Sequence, residues 1–164
     1  MAVLSARPRP RPRVSIGYRR ILVPVVDNPE SAEAVDVACR LAADRHGSIT
    51  ALAVVEVPTQ LPLGAHMLEE EEDARAVLAR AQAIADSYGV DVTPCVVHAR
   101  DAAEAIVEHT RRGGAEIVVV GGVRRRRGFS GTIRDVLKKA PVRVLVIAAQ
   151  APRGSRGGSR LPAR

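Results

Sequence analysis

The chain has 164 residues, room for one ordinary domain and no second. A domain of this size buries roughly two-thirds of its unfolded surface and folds without staples, and Cys39 and Cys95 have neither C-x-x-C nor metal-ligand spacing. Hydrophobic content of 46% with 2% aromatics demands a core of Val, Ile, Leu and Ala, and no apolar run reaches the roughly 18 residues of a membrane span. Disulfide scaffolds, metal-stapled folds and membrane insertion are disfavoured.

The net charge of +7 is unevenly placed. Residues 1–20 carry six arginines and residues 149–164 carry four, with no acid in either. The body, 21–148, keeps 15 of the 25 basic residues and all 18 acids, a net of −3. Four of those 15 form the run Arg124-Arg125-Arg126-Arg127. A folded nucleic-acid binder spreads Lys and Arg over one face or helix, so this distribution argues against a nucleic-acid partner.

Residues 1–18 include RPRPRPR, in which proline forbids helix and removes ladder donors. The segment is expected to be disordered. It has no apolar stretch like that of a signal peptide, and Arg19-Arg20 precedes too few apolar residues for a twin-arginine export signal. The Gly/Ser/Arg tail, 150–164, has nothing to bury. Both tails are expected to be dispensable for folding.

Between the tails the pattern is regular. Ile21–Val26 is a short continuous apolar run, as expected for a strand covered on both faces. Pro24 argues against a central position, because it cannot donate a ladder hydrogen bond. Asn28-Pro29 reads as N-cap and N1 of helix one, whose stripe is Ala34, Val37/Ala38 and Leu41, with Gly47 as its C-cap. Strand two spans 49–57. After a Pro-bearing loop, helix two carries Ala74, Val77/Leu78, Ala81, Ile84/Ala85 and Tyr88 on one face and stops at Gly89. The acids Glu69–Glu72 complement its N-terminal dipole.

Strand three spans 90–98. Asp101 and Glu104 have capping-box spacing and open helix three, with Ala102, Ala105/Ile106 and His109 on the inward side. Strand four is Ile117–Val120, ending in Gly121-Gly122, followed by a Gly/Arg loop. Helix four spans 132–139, Pro141 breaks it, and strand five is 142–148. Alternating strands and helices predict an α/β fold, a doubly wound five-stranded parallel sheet with helices on both faces.

In such sheets the ligand crevice lies beyond the carboxyl ends of the strands, where strand order reverses. Strand four ends with the suitable chemistry. Gly121, Gly122, Gly128 and Gly131 let backbone N–H groups approach an anion, Ser130 and Thr132 add hydroxyls, and Arg124 adds charge. Asp27 and Asn28 end strand one. No triad, nucleophile elbow, Walker A or zinc signature is present. Cys39 and Cys95 read as small hydrophobes, and His98 as a structural histidine.

The body, 19–148, resembles the universal stress protein family. RRILVPVVDNPESAEAV resembles its first strand and helix, AEIVVVGG its fourth strand, and GTIRDVLKKAPVRVLVI its closing helix and strand. The resemblance implies strand order 3-2-1-4-5, a crevice between strands one and four, and a homodimer paired through strand five. In ATP-binding members an acid ends strand one and a G-x2-G-x9-G-[S/T] motif cradles the phosphates. Here Val26 stands where that acid belongs and Asp27 follows one place later. Strand alternation points Asp27 the other way.

Gly121 fits the first glycine, Arg124 occupies the second, and Gly131-Thr132 arrives three residues early. The expected site is therefore Val26, Asp27, Asn28, Gly121, Gly122, Arg124, Gly128, Ser130, Gly131 and Thr132, with ATP or another adenine nucleotide bound weakly or not at all. The expected role is that of a cytoplasmic, non-enzymatic stress-response regulator. The alternative is a nucleotide-free module regulating a protein partner such as a transporter, because stress-protein domains attached to amino-acid permeases depart from the motif similarly.

Overall fold

A computed structural model describes residues 17–124 and 128–150. Residues 1–16, 125–127 and 151–164 lie outside the described residues, and so do the expectations attached to them. The elements in chain order are β1 (Arg20–Pro24), α1 (Pro29–Ala43), β2 (Ser48–Glu56), α2 (Leu68–Tyr88), β3 (Asp91–Ala99), α3 (Ala102–Gly113), β4 (Ile117–Arg124), α4 (Gly131–Lys139) and β5 (Arg143–Gln150). All strands are parallel, in the order β3-β2-β1-β4-β5. This is the expected architecture.

Strand alternation sorts the core into two layers. Ile21, Val23, Ile49, Ala51, Ile117 and Val119 face α1 and α2, where they meet Ala34, Val35, Ala38, Val77 and Ala81. Leu22, Leu52 and Val118 face the other way, against Ala103 and Ile106 of α3 and Val136 of α4. With few aromatics, area is buried by many small β-branched and alanine side chains packed closely.

Pro24 is harmless for a reason its sequence neighbours do not show. Ser48 N–H donates to Arg19 O at 2.8 Å and Val25 N–H donates to Leu52 O at 2.8 Å, so odd positions of this segment bond towards β2. Glu116 N–H donates to Arg20 O at 2.9 Å, so even positions face β4. Pro24 thus turns its imide nitrogen towards β4. The β1–β4 pairing, however, stops at Leu22↔Val118, whereas β1–β2 pairing continues to Pro24↔Leu52. The missing donor falls where the sheet has already split.

Several expected details are corrected. Strand one ends at Pro24 rather than Val26. Helix one buries Ala34, Val35, Ala38, Cys39 and Ala42, leaving Val37 and Leu41 half-buried at the stripe's margin. It is capped by Asp44, and Gly47 lies beyond that cap. Helix three buries Ala103, Ile106, Val107 and Thr110, so the inward face is rotated by one position and His109 sits at its edge. The cause is the position of the sheet, because a 3.6-residue stripe can be read one residue either way until a partner surface chooses.

The capping box is half-formed. Asp101 accepts from Glu104 N–H at 2.7 Å, while the Glu104 carboxylate instead points to Lys139 at 3.8 Å. Strand four does not end at Val120. It continues through Gly121 and Gly122, which pair in register with Ile147 and Ala148 of β5.

Arg100 organises the loop at 58–66. Its guanidinium donates to Val57 O at 3.0 Å, to Leu61 O at 2.7 Å and to Pro58 O. Three carbonyls thereby find a cationic donor. Arg100→Gln should release this loop: limited proteolysis should cut near Leu61 or Leu63 several-fold faster, and an unchanged digestion rate would show that the loop holds itself.

The cysteines divide as their surroundings dictate. Cys39 is fully buried, and burial, reinforced by the charge of Asp36, pushes its thiol up to about 11. Cys95 is half-buried on β3. A thiol reagent at neutral pH should therefore modify Cys95 in the folded protein and Cys39 only after unfolding. Rapid modification of both would contradict this packing.

Candidate functional site

A crevice of about 830 Å3 opens where β1 and β4 part. Its floor is apolar, with Leu52, Val54, Ile106 and Ile133 beneath the ends of β1, β2 and β4. The expected residues Val26, Asn28, Gly121, Gly122, Gly128, Ser130, Gly131 and Thr132 all line it. Val26 is 56% exposed there, an apolar wall where an acid would be the polar anchor.

Two expected residues lie elsewhere. Asp27, in the turn beyond β1, lies on the opposite face of the sheet, where its carboxylate pairs with Arg80 of α2 at 2.7 Å. Arg124 is exposed at the end of β4 and does not line the crevice.

The β1–α1 turn is closed by its own side chains. Asn28 Oδ1 accepts from Ser31 N–H at 2.7 Å, and Ser31 Oγ accepts from Val26 N–H at 3.0 Å. Asn28 is thus the N-cap of α1, with Pro29 opening the helix. These bonds hold Val25 and Val26 against the crevice edge.

Gly121 and Gly122 owe their identity first to packing. A Cβ at Gly121 would collide with the backbone of Glu30 and Ser31, because α1 presses directly onto β4. A Cβ at Gly122 would strike the Ile133 side chain of α4. The bare backbone still borders the crevice. Gly128 has φ of +97°, which a residue with a Cβ rarely adopts.

Helix α4 aims its N-terminus at the same space. Ser130 Oγ accepts from Ile133 N–H at 3.5 Å, and Ser130 O accepts from Arg134 N–H at 3.1 Å. The N–H groups of Gly131 and Thr132 are left without helical acceptors and can receive an anion. Lys138 and Lys139 complement the other end of the helix.

Two charged lining residues escaped the sequence reading, Glu56 at the end of β2 and Arg134 in the first turn of α4. Glu56 Oε1 accepts from Ala102 N–H at 3.0 Å, at the start of α3. The rule of strand carboxyl ends, applied to β2 once it is placed beside β1, would have found Glu56.

His98 is accounted for outside the crevice. It meets Glu71 at 3.1 Å, and Glu71 also receives Arg75 at 3.2 Å. The His98 hydrogen bond leads in holding the Glu71 carboxyl below the usual carboxylate range, helped by Met67 N–H and Arg75 against opposing desolvation. The pair ties β3 to α2, and its contribution is lost as pH falls through the lowered Glu71 value.

Comparison with known proteins agrees with this fold. A universal stress protein from Archaeoglobus fulgidus superposes with TM-score 0.69 at 21% identity, covering 80% of this chain and 94% of that one. A universal stress protein family member from Burkholderia pseudomallei gives TM-score 0.66 at 29% identity, covering 80% and 97%. The Archaeoglobus fulgidus universal stress protein in complex with dAMP gives TM-score 0.67 at 21% identity, covering 79% and 98%. No curated protein matches the chain. The sequence profile of the universal stress protein family matches residues 17–148. With that match spanning nearly all of the sheet and its four helices, the chain belongs to the universal stress protein family.

Proposed function

We propose that the protein is a cytosolic, homodimeric stress-response regulator that binds a small phosphorylated ligand, a nucleoside monophosphate above all, in the β1/β4 crevice. The observation that carries this reading is that Gly131, Thr132 and Arg134, at the N-terminal end of α4, line a crevice whose floor is apolar. One end suits a phosphate and the floor suits a base. The dAMP complex of the Archaeoglobus fulgidus protein supports the ligand class. The role proposed is binding rather than catalysis.

ATP is expected to bind weakly. Val26 offers no acceptor, and Gly131-Thr132 arrives three residues too early for the loop to wrap a triphosphate; losing one charge-assisted hydrogen bond costs about 1.5–3 kcal/mol, one to two decades of affinity. A ligand at 100 times its Kd stabilises the fold by about 2.7 kcal/mol. Millimolar AMP or GMP in physiological salt should therefore raise the Tm measurably and ATP should raise it little. Micromolar ATP affinity under those conditions would refute the weak-triphosphate reading.

The proposed dimer pairs through β5. Pro94 occupies an even position of β3, and because Ala99 O bonds towards β2 through Val57 N–H, Pro94 faces the open edge and blocks strand addition there. On β5, Val144, Leu145, Val146 and Ile147 are half-buried, without proline. Light scattering at micromolar concentration should report two chains per particle, and a monomer would remove this part of the reading.

A second reading, a module that docks a protein partner, is favoured by Leu61, Leu63 and Leu68, exposed by 42%, 47% and 72% around the β2–α2 connection. Failure of every nucleotide to raise the Tm would favour it.

A further inference from the structure

The crevice is charged at two ends. Among the described lining residues, Glu56 and Arg134 are the ionic side chains. In the order β3-β2-β1-β4-β5, β2 and β4 flank β1 on opposite sides, about 10 Å apart at the usual strand spacing. Glu56 therefore closes the end remote from the α4 N-terminus.

Its Oε1 is anchored by Ala102 N–H at 3.0 Å, which fixes the carboxylate, and among the described residues Oε2 has no hydrogen-bond partner. An ionised carboxylate only accepts hydrogen bonds and repels phosphate. The two ends thus impose a direction on whatever bridges them.

We propose that Glu56 is the specificity-determining residue of this crevice, selecting a phosphate-bearing ligand whose far end presents two neighbouring N–H or O–H donors. The inference rests on the nucleotide reading above. A carboxylate meets such a pair with two parallel hydrogen bonds. The guanine edge offers neighbouring N–H donors, and a ribose offers neighbouring hydroxyls. The adenine edge sets its one amino donor beside an acceptor lone pair, which a carboxylate opposes.

Glu56→Gln separates this role from helix capping. The Gln carbonyl can still accept from Ala102 N–H, while the second acceptor becomes a donor and the charge is lost. Calorimetric titration of GMP, dGMP and AMP into the wild-type protein and Glu56→Gln, with the unfolding midpoint as control, tests the inference. The variant should keep its midpoint, lose about 10- to 100-fold in affinity for the preferred ligand, and lose the preference.

GMP and dGMP binding alike and better than AMP would place the base edge at Glu56. GMP and AMP binding alike and better than dGMP would place the ribose diol there. Either supports the inference, and the wild-type ranking stands as a test even if the variant folds poorly. Equal affinities for all three, or a ranking that Glu56→Gln leaves intact, would overturn the inference while nucleotide binding stood. No binding of any of the three to the wild-type protein would overturn both.

Discussion

Gly121→Val should be the most damaging single substitution in the β1/β4 region, lowering stability by about 3 kcal/mol or more. The reason is backbone contact. Overpacking costs about 1–3 kcal/mol when side chains can shift, but the atoms facing a Cβ at Gly121 are the Glu30 carbonyl and Ser31 nitrogen of α1. Neither can move alone, because Ser31 is tied to Asn28 and Val26 and so fixes the turn that ends β1. Valine must therefore push α1 off the sheet or bend β4.

The urea midpoint should fall steeply, and Gly121→Ala should already show part of the loss. The parallel change Gly122→Ala should cost less, because its obstacle is the Cδ1 end of Ile133, which can rotate. Equal effects at the two glycines would refute the backbone argument. It follows that Gly121 cannot serve as a clean probe of ligand binding, since its replacement disturbs the fold first.

Leu22→Ala should cost about 3–4 kcal/mol, within the range for large-to-small changes at fully buried leucines. Leu22 is 1% exposed and belongs to the smaller of the two core layers, with Leu52, Ala103, Ile106, Val118 and Val136. Apart from Leu52 these neighbours are short or β-branched, and stiff β-branched side chains fill a cavity poorly. Leu52 and Ile106 also floor the crevice, so relaxation there would reach the ligand site. Urea denaturation measures the effect, and a loss below about 1 kcal/mol would mean that this layer collapses freely around the gap.

Much of the site was legible because its signals are local. Asn28-Pro29 as cap and first turn depends on groups within three residues, and the structure places them so. Ser130-Gly131-Thr132 likewise opens a helix on chemistry held in one short segment. The side taken by Asp27 agrees with period-two counting along the chain, although the residue lies in the turn beyond the end of β1. Its partner Arg80 could not be read, being 53 residues away on another element.

What the sequence by itself determined is the alternation of strands and helices, and with it the α/β class. Periodicity and turn chemistry are written over a few neighbouring residues, and for these elements no distant contact overrode them. The strand order came with the family resemblance, carried by short motifs at both ends of the body. Only the tertiary structure decided which side of each stripe is buried, as the one-position rotation of α3 onto Ala103, Ile106, Val107 and Thr110 shows. It also decided that Pro24 loses nothing, that Gly121 answers to α1, and that Glu56 and Arg134 share a crevice. Each of these depends on where the β1–β4 pairing stops and on what packs across it, a distance relation between segments that no local pattern encodes.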